Sequence, residues 1–120
     1  MPNLADHILQ ARHNEEFYQV TDKNAFSDWA MTAIFYAALH YIDALLASLG
    51  TVDPGSHSVR DDQVHKRAEL RPIANSYFRL KNRSRNARYC CMSFRPEELQ
   101  RCFDVELASI RRHIMPIVNS

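Results

Sequence analysis

Apolar residues recur along this chain at three- and four-residue steps, and no stretch alternates with period two. That spacing predicts helices and no sheet. The first helix is expected from about Asn3 to Gln19. Asn3 is placed to cap it, Asp6 favours its positive end, and Leu4, Ile8, Ala11 and Glu15 share one face. The second runs from Asn24 or Ala25 to Leu49. It carries two stripes, Ala30, Ala33, Ala37, Tyr41 and Leu45 beside Ile34, Ala38, Ile42 and Leu46. A helix apolar over so much of its surface belongs at the centre of a fold. Gly50 stands where a C-terminal cap is needed, and Asp53-Pro54-Gly55 spells a turn.

The segment from Ser58 to Lys66 reads as a short helix or an ordered loop. A third long helix begins near Arg71, with Pro72 in its first turn and a seam of Leu70, Ile73, Tyr77, Leu80, Ser84, Ala87 and Cys91. The fourth is expected from about Arg95 to Met115. Pro96 lies in its first turn, Leu99, Phe103, Leu107, Ile110 and Ile114 form its seam, and Pro116 stops it. These elements add up to an all-α fold, an up-and-down four-helix bundle with a short extra helix or ordered loop near residues 57–66. A chain of 120 residues carries one such domain, over residues 1–120.

Composition narrows the function classes. Two isolated glycines exclude any Gly-rich phosphate loop. Cys90, Cys91 and Cys102 contain no CxxC pair, and they are expected to be free, buried thiols in a reducing compartment. No secretory leader or membrane span is expected, because Asp28, His40 and Asp43 interrupt the most apolar stretch. The expected location is cytoplasmic. The six histidines show no metal-binding spacing, so neither a metal nor another cofactor is expected. His40 reads as a satisfied, half-buried histidine.

Charge is unevenly placed although its sum is only +1. Residues 1–57 hold two basic side chains against seven acidic ones, and residues 58–90 hold nine against three. This split suits either an anion-binding face or an internal match between packed helices. Two clusters offer chemistry. In the first, from His57 to His65, Arg60 can stabilise charge on a phosphoryl group. His65 can move a proton to or from a ribose hydroxyl, which is the outline of metal-free RNA cleavage. In the second, Lys81, Arg85 and Arg88 share a helix face with Tyr89 beside them. Guanidinium groups suit phosphates, and a tyrosine can stack on a base. His57 joins these four as a candidate phosphate-binding residue. The bland alternative is a capped helix with solvated or salt-bridged charges.

Three stretches together resemble the HEPN-domain family. They are Asp28-Trp29 with Phe35 to Leu46, then Ser56-His57 with Arg60, then Tyr77 to Leu80 running into Ser84 to Tyr89. The likeness covers about residues 25–90. It implies a helical bundle that often forms a homodimer, with roles in RNA cleavage, toxin–antitoxin pairs and defence. Some members bind nucleotides or nucleic acid without catalysis. It implies RNA or a nucleotide, and a cognate antitoxin protein, as partners. Catalytic members share an Arg, then four to six residues, then a His, and Arg60 and His65, with four residues between them, match that spacing. The family places this motif on a later helix, near where this chain has Arg85 to Tyr89, a segment without histidine. The leading expectation is a metal-independent ribonuclease. The alternative is a non-catalytic helical module that binds a nucleotide or a protein.

Overall fold

The computed structural model describes residues 2–50 and 56–119, and among these the chain is helical with no strand. Helix α1 spans Leu4–Val20. Asn3 caps it in a reciprocal box: its side chain accepts from the Asp6 N–H at 2.9 Å, and Asp6 accepts from the Asn3 N–H at 3.0 Å. Two of the four orphan donors of that helix end are thereby satisfied. After α1, the Asp22 carboxylate accepts from the N–H groups of Asn24 and Ala25 and turns the chain.

Helix α2, Ser27–Ser48, is the centre of the fold. It packs on α1 along one side and on the two later long helices along the others. Ala30, Ala37, Ala38 and Ala44 are fully buried, and their small side chains let the neighbouring helices approach closely. Phe35, Ile34, Ile42, Leu45 and Leu46 fill the spaces between. Each such residue contributes roughly 1.5–3 kcal/mol by leaving water. By length and hydropathy α2 would also suit a membrane span, a point the interrupting charges had argued against. Here 78% of its most apolar window is buried by the rest of the protein. Gly50, at φ +81°, ends the helix in the left-handed conformation that glycine adopts freely. The turn expected at Asp53-Pro54-Gly55 lies outside the described residues.

Helix α3, His57–Lys66, settles the segment left open between helix and loop. Its cap is Ser56, whose hydroxyl accepts from the Val59 N–H at 3.3 Å. A 3₁₀ turn, Ala68–Ile73, accommodates Pro72 and leads into α4, Ala74–Tyr89. The expected seam is buried from Leu70 to Ala87. It stops there: α4 ends at Tyr89, and Cys91 is exposed with φ +52°. Cys90 is also exposed, so only Cys102 is the buried thiol that composition suggested for all three.

The last helix, α5, has three consecutive parts: Pro96–Arg101, a π-helical stretch Cys102–Leu107, and Ala108–Val118. The wider π turn keeps Leu99 and Leu107 on the inner side with Ile110 and Ile114. Pro116 lies inside this helix instead of stopping it. So near the end, its missing N–H forfeits one bond, and the helix closes with Asn119 N–H donating to the Met115 carbonyl.

Candidate functional site

The chemistry-bearing residues fall into two regions on either side of α3. The first is a cavity of about 390 Å³ between α1, α2 and α3, lined by His7, Tyr36, His40, Asp43, His57 and Arg60, among others. Arg60 is the fourth residue of α3, which turns it toward α2. It is only 8% exposed. Its Nε donates to Asp43 Oδ1 at 2.7 Å and its Nη2 to Asp43 Oδ2 at 2.9 Å. Burying this pair requires such two-pronged geometry, because one partner alone would be an uncompensated charge. The third nitrogen, Nη1, remains outside the pair and lies 3.4 Å from Nδ1 of His57.

His57 is the first residue of α3 and its ring faces Phe35 and Tyr36. Partial burial of the ring lowers its pKa below the ordinary 6.5, and the positive charges of Arg60 and Lys81, with Arg88 further down, push the same way. These effects favour the neutral imidazole. Arg88 donates to the Tyr36 hydroxyl at 3.2 Å, which brings the α4 guanidinium to the rim of the cavity. On the α1 side, His7 and His40 present their Nδ1 atoms to each other at 3.1 Å. Burial lowers the pKa of His40, and its neighbour His7 adds to that.

The second region is an open groove of about 460 Å³ along α4, lined by Asn75, Phe78, Arg79, Lys81, Asn82 and Arg85. His65 belongs to this side. Five residues after Arg60 on the same helix, it points elsewhere and stacks on Phe78, with ring centroids 4.5 Å apart. Lys81 is paired with Asp61, which also accepts from the Tyr77 hydroxyl at 3.3 Å. Arg79 grips Glu106 with two bonds of 3.0 Å. Burial raises the Glu106 pKa, but the bonds from Arg79 and Ser76 outweigh it and hold the carboxyl below its usual range. Arg85 is exposed on the groove, and Tyr89 is 72% exposed at the end of α4.

The structure thus brings His57, Arg60 and Arg88 together and sets His65 and Arg85 apart from them. Lys81 stands between, a groove residue whose charge is felt at His57. Among the described residues, Asp43–Arg60 bridges the acidic and basic stretches, and Glu15 pairs with Arg111 beyond residue 90. Within 58–90, Asp61 takes Lys81. Sequence reasoning passed over His7, Tyr36 and Asp43. One signal was available: His40 and Asp43 are three apart on α2, hence on one helix face. Nothing in the linear order points from either to His7, which is held opposite by the packing of α1 on α2.

The chain matches no family profile, no curated protein and no solved structure.

Proposed function

We propose that this protein is a HEPN-like bundle that binds RNA and cleaves it without a metal, at the cavity between α1, α2 and α3 with Arg88 of α4 at its rim. The observation that carries the reading is the edge of Arg60 that Asp43 leaves free. Asp43 occupies Nε and Nη2, and Nη1 is left facing Nδ1 of His57. A phosphodiester seated there would meet Nη1 of Arg60 with Arg88 nearby. A ribose 2′-hydroxyl that displaced the 3.4 Å Arg60 contact would give its proton to the lone pair so freed on Nδ1 of His57, while Nη1 of Arg60 turned to the phosphate. The freed oxygen would attack the adjacent phosphorus, and the bond to the 5′-oxygen would break to leave a 2′,3′-cyclic phosphate. The imidazolium would then return its proton to the leaving 5′-oxygen. In this arrangement His57, and not His65, is the proton-transfer group. His65, Phe78, Lys81, Arg85 and Tyr89 serve to hold the strand by charge and stacking. The proposed protein acts as a homodimer, and a cognate antitoxin protein is its proposed natural inhibitor.

The alternative is a non-catalytic module that binds a nucleotide or a protein partner. It is favoured by the burial of Arg60 and by the Asp61 partner of Lys81, both of which leave less positive charge open to solvent.

The test is cleavage of RNA in EDTA by the full chain, beside His57→Gln, Arg60→Lys and His65→Gln, each checked for folding by circular dichroism. Cleavage is expected to fall at least ~100-fold in His57→Gln, the usual scale for a lost acid–base group, and to survive in His65→Gln. Loss in His65→Gln alone would move the site to the groove. An inert parent would leave the binding module.

A further inference from the structure

The cavity holds one arrangement that RNA chemistry does not use. Nδ1 of His7 and Nδ1 of His40, from different helices, point at each other 3.1 Å apart. Nδ1 or Nε2 of each histidine and a carboxylate oxygen of Asp43 all lie within 4.8 Å of one another. We propose that His7, His40 and Asp43 form a binding site for a divalent transition-metal ion of the zinc type, joining α1 to α2.

Four observations support it. Zinc–imidazole bonds of about 2.0–2.1 Å, at angles between octahedral and tetrahedral, set two nitrogens about 2.9–3.4 Å apart, and the Nδ1 pair already has that separation. In the absence of an ion, one of these nitrogens donates a proton to the other. An ion takes the place of that proton when the donor ring moves its hydrogen from Nδ1 to Nε2, so that both rings stay neutral and each presents a lone pair. Asp43 is held rigid by two bonds from Arg60, yet each carboxylate oxygen has a second lone pair free for a metal. This is the outer-shell support that orients metal-binding carboxylates. Finally, the group opens on the 390 Å³ cavity, which supplies a path of entry and room for water as a fourth ligand. Completing the set requires a side-chain movement on the order of 1–1.5 Å, given the ligand spacing a bound zinc demands. Two histidines and one carboxylate leave coordination positions open, a donor set found with zinc and with non-haem iron.

The site shares Asp43 and the cavity with the RNA reading, but it uses neither His57 nor Nη1 of Arg60, and zinc binding is measured without RNA, so either can fail while the other stands. The test uses the untagged full chain with Cys90→Ser and Cys91→Ser, because adjacent exposed thiols also take zinc. Zinc titration by calorimetry is expected to show one equivalent bound, with a Tm rise of about 5–10 °C at saturating zinc. His7→Gln and His40→Gln are each expected to weaken binding by about 100-fold or more, with His57→Gln and His13→Gln unchanged. Because His7 is buried and its substitution also removes packing under α1, a second measurement uses the chain with all six histidines intact. On adding zinc, the imidazole ¹⁵N resonances of His7 and His40 are expected to shift at Nδ1. Absence of binding, binding retained in both variants, or ¹⁵N shifts confined to other histidines would each overturn the proposal.

Discussion

The cavity beneath α3 and the groove along α4 use the same residue types in opposite ways. In the cavity, Arg60 is withdrawn from water and its direction is dictated by a buried carboxylate from another helix. In the groove, Arg85 is exposed and Lys81 is paired with an acid whose side chain keeps 22% of its surface in solvent. A charge that must be buried can adopt only the geometry its partner allows, so it becomes a fixed reference for whatever surrounds it. A charge on an open groove keeps its freedom and acts by attraction over distance. The cavity therefore has the order that bond-making needs, and the groove has the tolerance that holding a flexible strand needs.

The sharpest way to break this contrast is to remove one partner of each ion pair. Arg60→Ala leaves Asp43 as a buried, unpaired carboxylate and is expected to cost about 3–5 kcal/mol. Asp43→Ala should cost a similar amount. Lys81→Ala, at a pair only partly screened from water, should cost under about 1 kcal/mol. Denaturant unfolding followed by circular dichroism measures all three. Similar losses for Arg60 and Lys81 would show that the two regions do not differ in the way described.

A second contrast lies in pH. His40 and His57 both have pKa values below the ordinary 6.5 in the folded state. An unfolded chain protonates these rings near 6.5, while the folded chain resists until the pH is lower. The unfolded state then binds more protons, so stability is fully present above pH 6.5 and is lost as pH falls through the region below it. His7, Asp43 and Arg60 face His40; Arg60, Lys81, Asp61 and Arg88 act on His57. Tm measured in EDTA from pH 7.5 down to 5 should therefore decline, and His40→Gln should flatten the decline. A Tm curve that stays level in the parent would remove the low-pKa description of the cavity.

These contrasts also mark what was readable from the chain. Helix α1 with its Asn3 cap, α2 with its alanine stripes and Gly50, and the Leu70 to Ala87 seam were legible because each depends on neighbours three or four residues away. Lys81 and Arg85 were legible as a basic helix face for the same reason. The Asp43–Arg60 pair and the His7–His40 contact were not, since each depends on how two helices pack. The spacing of Arg60 and His65 invited a pairing that helical geometry does not deliver, because five residues along a helix turn the second side chain well away from the first. Pro116 and the π stretch of α5 escaped for a different reason. Near a helix end, and within a wider turn, local rules lose to the burial of Leu107, Ile110 and Ile114.

The smallest expected effect, on stability, tests the groove most selectively. Arg85 is exposed and lines the open face, so Arg85→Ala should change stability by no more than about 0.5 kcal/mol. If the groove holds RNA as proposed, the same substitution removes one phosphate contact. The slope of log affinity against log salt for a single-stranded RNA should then fall by about 0.7, the share of one released counterion. Affinity should weaken evenly across sequences, because a phosphate contact carries no base information. His57→Gln should leave that slope unchanged, since it removes no cation at pH 7.5. Fluorescence anisotropy at several salt concentrations separates the two. A slope that moves with His57→Gln and not with Arg85→Ala would put the strand in the cavity alone and leave the groove without a part in binding.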